Sequence, residues 1–241
     1  MRINIAIILV LLFGCQGPSQ KVNSQKKDNP KSSAVEASLN RFDTTLKVND
    51  HNFQIKVRDL NDELSLLTVV SNSDTALVDT VYGPAIAYFK YPDFNSDGNL
   101  DILFDYFGNN STYILYLFDV SSNHFVNINR YSEFPDSRHV ETNPNYYYSY
   151  HRAGCADMNW VSDLFTIENF KIIHLGHIYG QGCDADTANE PQVIDIYRIP
   201  DNNENAKILV EQLPYLKFIP EFGDKWNFIE KYWNSNYPKF E

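Results

Sequence analysis

Asp93-Phe-Asn95-Ser-Asp97-Gly98-Asn99-Leu-Asp101 decides how this chain is read. Oxygen-bearing side chains recur at alternate positions, in the pattern D-x-N-x-D-G-x-x-D. A tightly curved loop with that spacing turns Asp93, Asn95 and Asp97 toward one point. Gly98 permits the positive φ of a sharp turn. The carbonyl of Asn99 supplies a further oxygen, and Asp101 closes the shell. The donor set suits Ca2+, a hard cation that takes six to eight oxygens, better than zinc, which prefers nitrogen and sulfur. Three carboxylates in one loop repel each other without a cation, so Ca2+ is expected to stabilise the fold by binding the native state alone.

The flanks make this a strand–loop–strand site. Upstream lies Ala85-Ile-Ala-Tyr-Phe-Lys-Tyr91, rich in β-formers and stopped by Pro92. Downstream, Leu100, Ile102 and Phe104 alternate with Asp101, Leu103 and Asp105, the period of a strand. An EF-hand needs helices on both sides and a bidentate Glu at its twelfth position, where this chain has Phe104.

Outward from the loop, short β-rich runs recur: Phe53–Val57, Leu64–Val70, Thr112–Phe118, Leu164–Ile167, Phe170–His177 and Val193–Ile199. Asn72-Ser-Asp74, Ser121-Ser-Asn123, Glu168-Asn169 and Asp201-Asn-Asn203 punctuate them as turns. The fold class is mainly β: one compact multi-strand domain over 39–241, with no internal linker. Phe222, Trp226, Ile229 and Trp233 recur at helical spacing, which predicts a short C-terminal helix over Glu221–Asn234 packed by an aromatic face. Tyr146-Tyr-Tyr-Ser-Tyr150 reads as an aromatic strand with alternate residues buried rather than as a sugar-stacking platform.

The N-terminus reads as an address. Arg2 and the apolar run Ile5–Phe13 make residues 1–14 a signal peptide, too short to span a bilayer as a mature helix. Leu12-Phe-Gly-Cys15 resembles a bacterial lipobox, which implies cleavage before Cys15 and its acylation; an ordinary cleaved signal is the alternative. Residues 15–38 hold Lys, Ser, Asn, Gln and Pro with no aromatic, a flexible linker reaching about 25–30 Å. Gln16 after the cysteine favours the periplasmic face of an outer membrane, with surface display left open.

The net charge is −11, and the part from Leu39 onward carries about −14, with roughly fifteen basic and twenty-nine acidic residues. Such a domain repels nucleic acid and anionic lipid and attracts basic proteins. With Cys15 assigned to lipid, Cys155 and Cys183 are expected to pair in an oxidising compartment. A zinc site using them with His151 or His177 is the competing reading, and it lacks any C-x-x-C spacing. Asp184 and Asp186 form a D-x-D without glycine or closing aspartate and read as a solvated loop. No G-x-S-x-G, P-loop or H-E-x-x-H occurs. His174 and His177 lie three apart in a strand, a spacing that places them on opposite faces and argues against joint metal binding. His51, His124, His139 and His151 are dispersed. No catalytic residue is assigned, and the chain is expected not to be an enzyme.

The order of the calcium loop, Tyr113-Ile-Leu-Tyr-Leu-Phe-Asp119, Ser122-Asn-His-Phe125 and Gly154-Cys155 resembles Gram-negative lipoproteins with an integrin-like calcium loop of the FG-GAP or VCBS kind. The resemblance covers roughly Tyr88 to Cys183. It implies a small β-propeller-like domain, structural Ca2+, and an immunity-type function in which a lysozyme-like peptidoglycan hydrolase is bound and inhibited. The alternative is a calcium-stabilised adhesion or glycan-binding module at the cell surface.

Overall fold

The computed structural model describes residues 40–72, 74–108, 111–184 and 191–241. The expected signal peptide, Cys15, linker 15–38 and Asp186 lie outside them. The described residues belong to a compact unit spanning Ser38–Glu241.

Three antiparallel sheets follow one another along the chain. β1 (Asn40–Val48), β2 (His51–Asp59), β3 (Leu64–Ser71) and β4 (Asp74–Tyr82) form the first meander. β5 (Ile86–Lys90), β6 (Ile102–Tyr106), β7 (Thr112–Asp119) and β8 (His124–Asn127) form the second. The third contains β9 (Arg138–Val140), β10 (Asn143–Tyr148), β11 (His151–Arg152), β12 (Asn159–Glu168), β13 (Lys171–Gln181), β14 (Val193–Arg198) and β15 (Ile208–Pro214). Its order is β15-β14-β13-β12-β10-β9, with β11 also on β12. A single helical turn, α1 (Tyr215–Phe218), and the helix α2 (Asp224–Asn236) follow. The mainly β expectation therefore holds, down to the short helix at the end.

Turn chemistry sets the meanders. Asn49 and Asp50 adopt φ of 45° and 63°, a two-residue connection that matches strand twist. Asn72, Asn123 and Asn169 also take positive φ, which Asn tolerates better than most residues.

Successive layers share cores. Phe53, Ile55 and Val69 of the first sheet pack against Phe104, Tyr116 and Phe118 of the second. The opposite face of β7, through Leu115 and Leu117, meets Tyr147, Phe165 and Ile172 of the third. The far face of that sheet, with Trp160, Leu164 and Ile196, is covered by Tyr215, Ile229, Trp233 and Phe240. β7 is thus buried on both faces, which is why Thr112–Phe118 reads as an apolar run with weak alternation. The same holds for Tyr146–Tyr150. Tyr147 enters one core while Tyr148 and Tyr150 enter the next, so neighbouring residues are buried rather than alternate ones.

The helix begins later than its aromatic spacing suggests. Phe222 precedes it and is 55% exposed, and Trp226 is 44% exposed. The buried face is Lys225, Ile229 and Trp233. The Lys225 ammonium meets Asp157 Oδ2 at 2.9 Å and the Asp157 carbonyl at 2.8 Å. It lies 3.9 Å from the Phe222 ring centroid and 5.2 Å from that of Trp226. The two aromatics wrap a buried cation instead of filling the core.

Cys155 and Cys183 form a disulfide, as expected, with Cα atoms 5.8 Å apart. It ties the open end of the β12–β13 hairpin, where Asn159 pairs with Gln181. The zinc reading that used these cysteines is thereby overturned, since their sulfurs are bonded to each other.

Gly180 tests the packing of this hairpin. A Cβ there would lie 2.2 Å from Trp160 Cε2, and Trp160 is fully buried. Gly180→Ala is expected to destabilise the domain by about 1–3 kcal/mol, the range for overpacking a filled core. Denaturant unfolding checks this: the midpoint falls while the slope is unchanged.

Candidate functional site

Pro92 ends β5, and the Asp101 N–H donates to the Pro92 carbonyl at 2.7 Å, closing the base of the loop. Within it, Asp93 Oδ1 accepts from the Asp97 N–H at 3.0 Å and Asp93 Oδ2 from the Gly98 N–H at 3.1 Å. Asp97 Oδ1 accepts from the Asn99 N–H at 2.8 Å. Ser96 and Gly98 take φ of 59° and 88°, so the chain curls around its own side-chain oxygens. Asp93 and Asp97 are exposed, while Phe94 between them is buried.

Asp101 differs from the other four expected ligands. It is fully buried, with Oδ2 accepting the Phe94 N–H and Oδ1 accepting the Phe118 N–H, both at 2.8 Å. Burial pushes its carboxyl up to about 7, helped by the charges of Asp97 and Asp93 and opposed by the two N–H donors. It fastens the loop to β7. Asn95 lies beside Asp97, its amide donating to Asp97 Oδ2 at 2.9 Å, and the Asn99 amide donates to Asp97 Oδ1 at 2.9 Å. The five residues are thus brought to one bend. The all-oxygen donor set and the uncompensated carboxylates fit a hard cation.

The loop stands between two open clefts. One, of about 710 Å3, is lined by Phe94, Tyr113, Arg138, Tyr150, Trp226 and Glu230 among others. The second, of about 630 Å3, is lined by Asn95, Asn145, Tyr146, Glu168 and Phe170 among others. Phe94 stacks on Tyr147 with centroids 5.0 Å apart, so the loop is seated on the third sheet as well as the second.

A separate cluster was not foreseen. Asp163, His174 and His177 place three ligand atoms within 4.8 Å of one another. The loop carboxylates do not draw that close. His174 and His177 share a face because the register slips between Leu164 and Phe165: Gly176 pairs with Leu164, His174 with Phe165 and His177 with Asp163. Leu175 is the extra, bulged residue, and it converts an odd spacing into a same-face pair. The expectation of opposite faces is corrected accordingly. The sequence signals were Leu175-Gly176 inside a strand and a lone aspartate, Asp163, in the apolar run of β12. His174 Nε2 lies 3.1 Å from Asp163 Oδ1, and His177 Nδ1 lies 2.7 Å from the same oxygen. Burial disfavours the His174 cation, but Asp163 and Glu204 outweigh it and hold its pKa above the usual value. Burial likewise opposes ionisation of Asp163, and the two imidazoles overcome it, lowering its pKa. His124 and His139 bond to the carbonyls of Ser122 and Pro144, outside this cluster.

Comparisons with known proteins place little beside this chain. No family model matches it, and no curated protein does. Among solved structures, a chain described as a Xanthomonas type IV secretion system related protein aligns with a TM-score of 0.44 and 14% identity. The alignment covers 72% of this chain and 98% of that one, a likeness too distant to bear on function.

Asp101 gives a prediction for the metal-free protein. Its folded pKa is raised from 3.8 to about 7, so between those values the native chain holds a proton that the unfolded chain has lost. Stability must therefore fall as pH rises through that window. In chelator, the melting temperature of the parent is expected to drop between about pH 4 and about pH 7 more steeply than that of Asp101→Asn, which cannot ionise.

Proposed function

We propose that this chain is an exported, lipid-anchored, calcium-binding protein that binds and inhibits a peptidoglycan hydrolase. The observation that carries this reading is the Asp93–Asp101 bend, with its oxygens curled inward and its base fastened by Asp101. Asp93, Asn95, Asp97, the Asn99 carbonyl and Asp101 would hold the ion. Bound Ca2+ supplies positive charge that offsets three carboxylates and stiffens the loop. A stiff loop between two clefts suits a protein-binding edge, because ordering it beforehand lowers the cost of association.

Two further features support the reading. The disulfide fits an oxidising compartment. The acidic surface would speed encounter with a basic enzyme. The chain's own groups bind and position a partner here; no reaction is assigned to them.

Two measurements test this. Asp97→Ala is expected to lose about 3–4 kcal/mol more relative to the parent at calcium well above Kd than it loses in chelator. Equal melting curves in calcium would remove the site. For the partner, immobilised protein is exposed to periplasmic extract and culture supernatant, with calcium or chelator. Capture of a lysozyme-like hydrolase whose activity falls on binding supports the inhibitor. Retention of polysaccharide without any hydrolase would replace it with the adhesion reading.

A further inference from the structure

We propose that Asp163, His174 and His177 form a second metal site, for a first-row divalent cation and by ligand chemistry zinc, distinct from the calcium loop. Two borderline imidazole donors with one carboxylate suit zinc better than a hard oxygen-seeking ion. The spacing is right in kind. Tetrahedral bonds of about 2.0 Å place ligand atoms about 3.3 Å apart. The Nε2–Oδ1 separation is 3.1 Å for His174 and Asp163, and the Nδ1–Oδ1 separation is 2.7 Å for His177 and Asp163. A small outward movement of His177, which is partly exposed, admits the ion.

The surroundings complete the site. Glu204, in the turn Glu204–Ala206, lies 3.2 Å from His174 Nδ1. A carboxylate there accepts a hydrogen bond from Nδ1–H and leaves the Nε2 lone pair facing Asp163, the arrangement that orients histidines on metals. Asn202 Oδ1 accepts the His174 backbone N–H at 2.8 Å, docking the same segment onto the strand. Arg130 in turn contacts Glu204 and Glu133. The Gly176 carbonyl, 3.0 Å from His174 Nε2, is the competing acceptor if that nitrogen carries a proton. A third imidazole, His151, pairs opposite Val161 and so shares the face of Asp163; it interacts electrostatically with Asp163 and His177. Water can fill a fourth position. Asp163 and Glu204 supply two negative charges against the two positive charges of the ion, so a buried site closes near neutrality. The bulge at Leu175 places both imidazoles on one face, a device strands use where a side chain must be re-aimed.

The test uses the folded exported protein in saturating calcium throughout, so that the loop is filled. After dialysis against micromolar zinc and then buffer, elemental analysis is expected to find one zinc per chain. X-ray absorption should show two imidazoles in its shell. Zinc about a hundredfold above its Kd is expected to raise the melting temperature by roughly 5–10 °C. His177→Ala abolishes retention and the rise. Glu204→Gln, at a half-exposed side chain that tolerates change, weakens zinc roughly 10–100-fold while the fold persists by circular dichroism. Parent protein that stays folded yet keeps no zinc and shows no rise overturns the assignment. The three side chains are then a proton-held ion-pair cluster. Equal zinc affinity in parent and both variants overturns it too.

Discussion

The carboxylate of Asp101 is the constraint on which the rest of the candidate site depends. A buried carboxylate is costly unless donors meet it, and here the Phe94 and Phe118 N–H groups do so. Each hydrogen bond to a charged group is worth about 1.5–3 kcal/mol, and losing one donor leaves a desolvated acceptor. One of those donors belongs to the loop itself and the other to β7. The bond pair therefore fixes the loop to the strand that is shared between two cores. Without it, the oxygens of Asp93 and Asp97 would curl in a loop with no fixed position relative to either sheet.

The stack of layers gives that loop its neighbours. Phe94 leaves the loop and stacks on Tyr147; Tyr147 packs on Phe165, Phe165 on Phe134, and Phe134 against His174. The centroid separations along this series run from 4.7 to 5.2 Å, ordinary aromatic contact. The acidic loop and the histidine cluster thus sit at two ends of one continuous aromatic core. The series is packing contact alone; coupling between the ends would need a two-state element, and the described residues show none.

Local chemistry made much of this legible in the sequence. The D-x-N-x-D-G bend, the Asn-bearing turns and the pairing of Cys155 with Cys183 each rest on a few adjacent residues or on simple counting. Strand positions followed from β-rich runs, and Leu64–Val70 and Thr112–Phe118 fall within one residue of the observed strands. What escaped was long-range. Lys225 became a buried helix residue only because Asp157, far away in sequence, meets its ammonium. The aromatic stripe drawn through Phe222 and Trp226 gave no hint of that. Period-two alternation separates the two histidines because it assumes an unbroken ladder, and Leu175 breaks it. Asp101 looked like a fifth loop oxygen of the same kind as the others. Its burial depends on β7, which arrives later in the chain.

Isothermal titration of Ca2+ into the folded, chelator-treated domain tests the central claim most directly. Saturable heat at one equivalent per chain is expected, lost in Asp97→Ala. A folded domain that gives no heat above dilution at several temperatures would contradict it.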